Sequence, residues 1–494
     1  MCPDADKQSI NMSKSLEGNL LPNNNLTTKS RFDWLKFIKS VAVIAIPVAL
    51  QNLLTSTGTM VDTMMIARLG ETSVGAVGLC AQYSNLMVSG YWGFVGGGSL
   101  FISQYWGAQD EKGVCRSYGL MLTCIMTVAL IFSSAARFFP HVIMRLYTDK
   151  VPIQEIGIQY LKIIAFAYPL QLFSISASTL LRSTERVKIP LVASIVSVFS
   201  NIILNVLLIY GKLGFPKLGV RGAAIATVCA AAINLFIIVI GCLVVRYQFI
   251  FRIKDHFRWA GPQVKLFLKR SYPIILNEVC MGIGNMTINI VLGRQSAPTI
   301  AAIAVFRTLE GLIIGFFSGF SSAASVLVGK DVGAGKLENA YQKACRLIPL
   351  CIATIAVAGI FINIFKANIA HAMSLSGQAF DIACYIITVF TIVAVIRMGN
   401  WCSNDTFRAS GDAVTGTVLE IIFMFAMVLP TVCLAGLKFK VSIYILFPLV
   451  YCDEIVRFII MQIHLRSGRW IRPVTTQGLA ALPAFRSRHS RRSH

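Results

Sequence analysis

QYWGAQD (residues 104–110) and KDVGAGK (330–336) stand 226 residues apart, and so do LRSTER (181–186) and FRASGD (407–412). The same shift carries Pro47 onto Pro273, Arg68 onto Arg294, Ala76 onto Ala302, Gly93 onto Gly319 and Phe94 onto Phe320. It also carries Ser99 onto Ser325, Gly107 onto Gly333, Ala108 onto Ala334 and Arg182 onto Arg408. No gap is needed between 47 and 113, and the offset still holds at 182. Matches of this kind at a single offset, several of them Gly or Pro, mark two copies of one structural unit.

The copies are hydrophobic. The 494 residues are 55% hydrophobic and only 14% charged, with a mean hydropathy of +0.68. A soluble chain carries about 25% charged residues. The apolar residues fall in blocks at roughly 40–67, 73–103, 115–138, 155–180, 188–210, 219–245, 266–292, 298–328, 343–366, 380–406, 413–436 and 441–464, each long enough to cross a bilayer. Blocks so continuously apolar lack the alternation of a membrane barrel. The sequence therefore predicts an all-α polytopic membrane protein with twelve transmembrane helices in two six-helix repeats. With an even number of spans each, the repeats are parallel and related by a pseudo-two-fold axis along the membrane normal. Such halves rock against each other around a substrate held between them. The expected organisation is a polar, disordered tail over 1–39, an N-lobe over 40–245, a basic linker over 246–265, a C-lobe over 266–465 and a basic tail over 466–494.

The net charge of +23 records orientation rather than a nucleic-acid partner. With the N-terminus inside, 30 of the 45 Lys and Arg residues fall in the tails and inner connections, 11 in the outer connections and four inside spans. That excess places both termini in the cytoplasm and the protein in the cell membrane. The linker RYQFIFRIKDHFRW is basic and amphipathic and is expected on an anionic leaflet. The thirteen cysteines and six histidines show no disulfide framework or metal-ligand spacing. HExxH, GxxxxGK[ST] and GxSxG are absent, so the reading is no enzyme and no cofactor.

Ionisable groups inside a span each cost at least about 2.5 kcal/mol on insertion scales and so ask for a partner or a task. Asp62 falls about 33 Å along helix 1 at 1.5 Å per residue. Asn201 and Asn205, one turn apart on helix 5, and Thr227 on helix 6 reach a similar depth. One carboxylate, two amide oxygens and a hydroxyl suit Na⁺, and the carboxylate alone suits a proton. The competing reading of the Asn and Thr residues is interhelical hydrogen bonding. In the second copy Ile288 replaces Asp62, and Glu278 replaces Asn52. Arg307 and Glu310, three apart on helix 8, can pair. Arg397 either offsets Glu278 or favours an anionic substrate. Gln51, Asn52, Tyr83, Tyr91 and Trp92 are the substrate-cavity candidates, the aromatics by stacking on planar or cationic groups. GFVGGGSLF (93–101) reads as close helix packing, and Pro47 with Pro273 as matched bends.

IPVALQNLLTSTGTMVDTMMIARLG, SQYWGAQD, LRSTERVKIP, SNIILNVLLIYG and LGVRGAAIATV, in this order and spacing, resemble the multidrug and toxic compound extrusion (MATE) transporters, notably the bacterial drug/sodium and drug/proton antiporters. The resemblance covers about residues 40–465. It implies a secondary antiporter that exports amphipathic or cationic organic compounds as Na⁺ or H⁺ enters, expected as a monomer in the lipid bilayer. It also implies a cation site at Asp62, Asn201, Asn205 and Thr227. Asn205 departs from relatives with Asp there, which leaves Na⁺ against H⁺ open. Glu278 matches an acidic helix 7 position used for cation or drug, whereas Arg397 stands near a helix 10 Asp of some relatives. A lipid-linked saccharide flippase of the same superfamily is the alternative, disfavoured by the span count. A membrane-embedded prenyl transferase would need DDxxD motifs, which are absent. In DE at 453–454, the acidic pair has Arg457 one turn away to neutralise it.

Overall fold

The structure, a computed structural model, describes residues 33–373 and 375–490. Twelve spans follow in order: α1 (Trp34–Ala67), α2 (Glu71–Gly107), α3 (Glu111–Phe138), α4 (Val151–Ile164 and Ala167–Ser183), α5 (Lys188–Tyr210), α6 (Val220–Val244), α7 (Gly261–Leu292), α8 (Ala297–Gly333), α9 (Leu337–Ala372), α10 (Gly377–Ala409), α11 (Ala413–Lys438) and α12 (Ile443–Leu449 and Glu454–Ser467). Among the described residues nine of these helices are apolar and long enough to cross a bilayer alone, and α4 joins them as a pair bent by 49°. Two need their neighbours. In α2, polar and glycine residues dilute the hydrophobicity because much of its surface is covered by protein. A turn at 450–453, just after Pro448, interrupts α12. Elsewhere the outer faces are apolar stripes at helical spacing, such as Val357, Ile360, Phe361, Ile364 and Phe365 on α9, all exposed.

Three segments carry structure beyond what the sequence predicts. The first helix begins at Trp34, inside the segment read as a tail, because Asp33 accepts from the Lys36 N–H at 3.0 Å and so caps it. Residues 1–32 lie outside the described residues. The linker docks onto α3 through buried residues, Tyr247, Ile250 and His256 among them, and the His256 ring meets Tyr118 edge-on at 5.0 Å. Gly119 leaves no room for a Cβ against the His256 carbonyl, and Arg252 pairs with Glu111 at 2.7 Å. The segment after α12 is also ordered. Gly468 (φ 66°) ends the helix in the left-handed conformation, Trp470 is fully buried against Phe407, and α13 (Thr476–Ser490) follows. This segment ties the two repeats together. The Val474 N–H donates to Gln104 of α2 at 2.9 Å, and the Thr475 hydroxyl donates to the Gly333 carbonyl of α8 at 2.7 Å.

The repeat is visible as reciprocal contacts. Gly107 at the end of α2 abuts the Lys330 carbonyl of α8, and Gly333 abuts the Gln104 carbonyl of α2. Each contact is the other with one partner shifted forward and the other shifted back by 226 residues. Deeper in the protein Gly93 and Gly97 of α2 lie on Ile275 and Ser271 of α7, while Gly319 of α8 lies on the Ala45 carbonyl of α1. Only glycine permits backbones to approach so closely. Gly107→Val and Gly333→Val should each destabilise the protein by roughly 1–3 kcal/mol through overpacking. Thermal unfolding in detergent reads this directly, with Gly78→Ala, which meets nothing within 4 Å, as the unaffected control.

Candidate functional site

Between the repeats lies a cavity of about 750 Å³. Ser99, Ser183 and Ser325 line it, with Ser99 and Ser325 about two helical turns before Gly107 and Gly333 on α2 and α8. Of the sequence candidates, Gln51, Asn52, Trp92, Glu278, Arg307 and Arg397 line it. Tyr83 and Tyr91 do not. Tyr83 is buried within the first repeat, donating to the Phe132 carbonyl at 2.8 Å and packing on Phe132 and Tyr168. Tyr91 is buried beside Trp92 and leaves the cavity wall to it.

The second repeat fills its side of the cavity with a connected set of ion pairs. Arg408 at the end of α10 lies 3.9 Å from Glu278, 3.7 Å from Asp405 and 3.7 Å from Glu420. Asn277 donates to Glu420 at 2.7 Å. Arg457 on α12 is buried among Glu454 (2.7 Å), Asp453 (3.5 Å) and Glu420 (3.9 Å), the i,i+3 and i,i+4 pairing legible in the sequence. Arg397 does not offset Glu278. It pairs with Glu310 at 3.1 Å and Glu454 at 3.7 Å, and its guanidinium lies over the rings of Tyr451 (5.1 Å) and Trp401 (5.5 Å). Glu310 is shared with Arg307 at 2.6 Å, and Arg307 also donates to Asn289 at 2.8 Å. Asp405 and Glu420 are not among the residues singled out from the sequence, and Arg408 enters there only as the repeat partner of Arg182. Arg408 was placed in a connection because the apolar block ends at 406, but the helix runs on to Ala409.

The first repeat is built differently. Gln51 donates to Ser194 at 3.0 Å, the counterpart of Asn277 and Glu420 under the 226 shift. Asn52 donates to Ser318 across the repeat boundary. Asp62 stands apart from the cavity, between α1 and α5. The Asn205 amide donates to its Oδ1 at 2.6 Å, and the Asn201 amide, with its nitrogen turned to the carboxylate, reaches the same oxygen at 2.6 Å. Asn205 Oδ1 is buried and accepts no hydrogen bond among the described residues. An anionic oxygen and a free amide oxygen thus lie on neighbouring groups, which fits a small hard cation or a proton on the carboxylate. Thr227 is not joined to them by a hydrogen bond among the described residues; it donates to its own helix at Ala223, 3.0 Å.

The MatE family profile matches residues 47–207 and 273–433, two segments separated by the repeat offset at both ends. The chain belongs to the MatE family. Its members are membrane transporters, not enzymes, and the twelve-span, two-repeat architecture is that of the family. Among similar proteins, "Probable multidrug resistance protein YoeA" of Bacillus subtilis is 24% identical over 79% of this chain and 85% of its own length. "Probable multidrug resistance protein NorM" of Thermotoga maritima is 22% identical over 87% and 93%. A crystal structure of MATE in complex with MaL6 superposes with a TM-score of 0.79 at 18% identity, covering 88% of this chain and 97% of that one. An outward-facing multidrug resistance MATE family transporter of the MOP superfamily gives 0.77 at 18% identity, with the same coverages.

Within this MatE protein, the buried ion pairs of the second repeat should be cooperative. Arg457→Gln leaves Glu454 and Glu420 short of a cation and should cost about 3–5 kcal/mol of stability. Adding Glu454→Gln should recover part of that loss in a double-mutant cycle of thermal unfolding.

Proposed function

We propose that this MatE protein is a secondary active exporter of amphipathic organic compounds, cations among them, driven by entry of Na⁺ or H⁺. The observation that carries the reading is a cavity between two symmetry-related halves, sealed at one end by reciprocal glycine contacts. Alternating access needs such an arrangement, in which one closure opens as its opposite forms. The names of the Bacillus subtilis and Thermotoga maritima relatives support a multidrug substrate range. The carboxylates Glu278 and Asp405 on the cavity wall are exposed enough to meet a cationic substrate.

The positive-inside rule orients the protein with both termini, the linker and the glycine seal in the cytoplasm of a cell expelling compounds outward. In a cysteine-free background, a single cysteine at Lys254 should react with an impermeant thiol reagent only from the cytoplasmic side, and one at Lys217 only from outside. Labelling of both from one side of sealed cells contradicts this orientation.

Asp62 is the coupling group in this reading. In the state open to the outside, its carboxylate takes Na⁺ or a proton with Asn201 and Asn205 as neighbours. A bare carboxylate enclosed by closing helices carries an unpaired-charge penalty of several kcal/mol. Closure therefore requires the ion, and the ion's inward release accompanies the return of the cavity. Asp62→Asn keeps size and hydrogen bonding but removes the charge. It should insert normally, retain substrate binding and lose cation-driven efflux in proteoliposomes; wild-type export against a gradient by Asp62→Asn would make Asp62 a structural residue.

A further inference from the structure

Arg182 occupies the position in the first repeat that Arg408 occupies in the second, and both line the cavity. Arg408 is held by three carboxylates, Glu278, Asp405 and Glu420. Shifting each back by 226 residues gives Asn52, Thr179 and Ser194. The first repeat has thus kept the guanidinium and exchanged all three of its counter-charges for neutral hydrogen-bonding groups. No ion pair among the described residues includes Arg182; its Nε donates to the Ser178 carbonyl at 3.4 Å. Asn52, Thr179 and Ser183, with Ser99, face the same space.

A cation at membrane depth without a carboxylate is costly to maintain, and every other arginine on the cavity wall has one. We infer that Arg182 is an anion-binding subsite of the cavity, receiving the carboxylate of an organic substrate. The planar guanidinium offers paired N–H donors that match a carboxylate in two parallel bonds, and the surrounding hydroxyl and amide groups can complete its hydrogen bonding. The opposite wall carries Glu278 and Asp405, which share Arg408 with Glu420 and so present surplus negative charge. The cavity is therefore polarised, positive on the first repeat and negative on the second. The substrate class that fits is a zwitterionic amphiphile with a cationic group and a carboxylate. This specificity rests on the export reading above, but it is tested by binding alone.

A matched dye pair isolates the carboxylate: rhodamine 110 carries it free, and rhodamine 123 is its methyl ester with the same cationic ring system. Fluorescence anisotropy with purified protein in phosphatidylcholine nanodiscs should show rhodamine 110 bound at least about tenfold more tightly by wild type than by Arg182→Gln, the expected size of one charge-assisted pair. Rhodamine 123 affinity should stay within about twofold in Arg182→Gln. Thr179→Asp rebuilds the i,i+3 pair that Asp405 makes with Arg408, so it should fill the subsite internally. That variant keeps Arg182 yet should lose rhodamine 110 to a similar degree without weakening rhodamine 123, and it decides the matter if Arg182→Gln does not fold. Equal rhodamine 110 affinity in wild type and both variants overturns the subsite, as does parallel loss of both dyes in Arg182→Gln. Loss of rhodamine 110 binding only in phosphatidylglycerol nanodiscs would assign Arg182 to a lipid phosphate and also overturn it. Failed export alongside the predicted binding differences would overturn the export reading alone.

Discussion

A charge drawn into hydrocarbon must find a counter-charge, a hydrogen-bond shell or water, and this constraint organises the protein's interior. The second repeat satisfies it with a continuous set of ion pairs joining α7, α8, α10, α11 and α12, in which Arg397, Arg408 and Arg457 each touch two or more carboxylates. The first repeat meets it with amides and hydroxyls, and among the described residues neither Asp62, beside Asn201 and Asn205, nor Arg182, at the cavity wall, is in an ion pair. One copy is electrostatically closed on itself. In the proposed reading the other keeps a carboxylate and a guanidinium available to ligands, in two separate places.

Backbone packing supplies the second constraint. Glycines at 226-related positions bring α2 and α8 into mutual contact at one end, and α2 against α7 mirrors α8 against α1 farther along. Such contacts are short and unforgiving, so an interface of this type favours discrete closed and open states over gradual deformation. The segment around Val474 and Thr475 bonds to α2 and α8 beside these glycine contacts.

Much of this was legible in the sequence. The offset of 226 and twelve apolar blocks predict two parallel six-helix repeats, and the family profile falls on the same two segments. The nearness of Asp62, Asn201 and Asn205 follows from depth along α1 and α5. Other features were hidden for physical reasons. Hydropathy ends a span where charge begins, so Arg182 and Arg408 read as connection residues although α4 and α10 carry them to the cavity. Arg397 meets Glu310 from 87 residues away, a pairing that spacing along one helix cannot show. Tyr83 has the aromatic character of a binding residue, but which face of α2 turns inward depends on α3 and α4. The Trp470 anchor was masked by the basic residues around it.

The claim on which the rest turns is that the two repeats exchange closure between their ends. Spin labels at Lys112 and Glu338, and in a second sample at Arg68 and Arg294, place one pair just after the glycine-sealed ends of α2 and α8 and one just before their opposite ends. Pulsed dipolar distances in proteoliposomes should shift reciprocally between saturating Na⁺ or acidic pH and saturating substrate. As the pair beside the seal lengthens, the opposite pair should shorten. Distances that stay unchanged in both pairs while transport proceeds, or that lengthen together, would contradict rocking between the repeats.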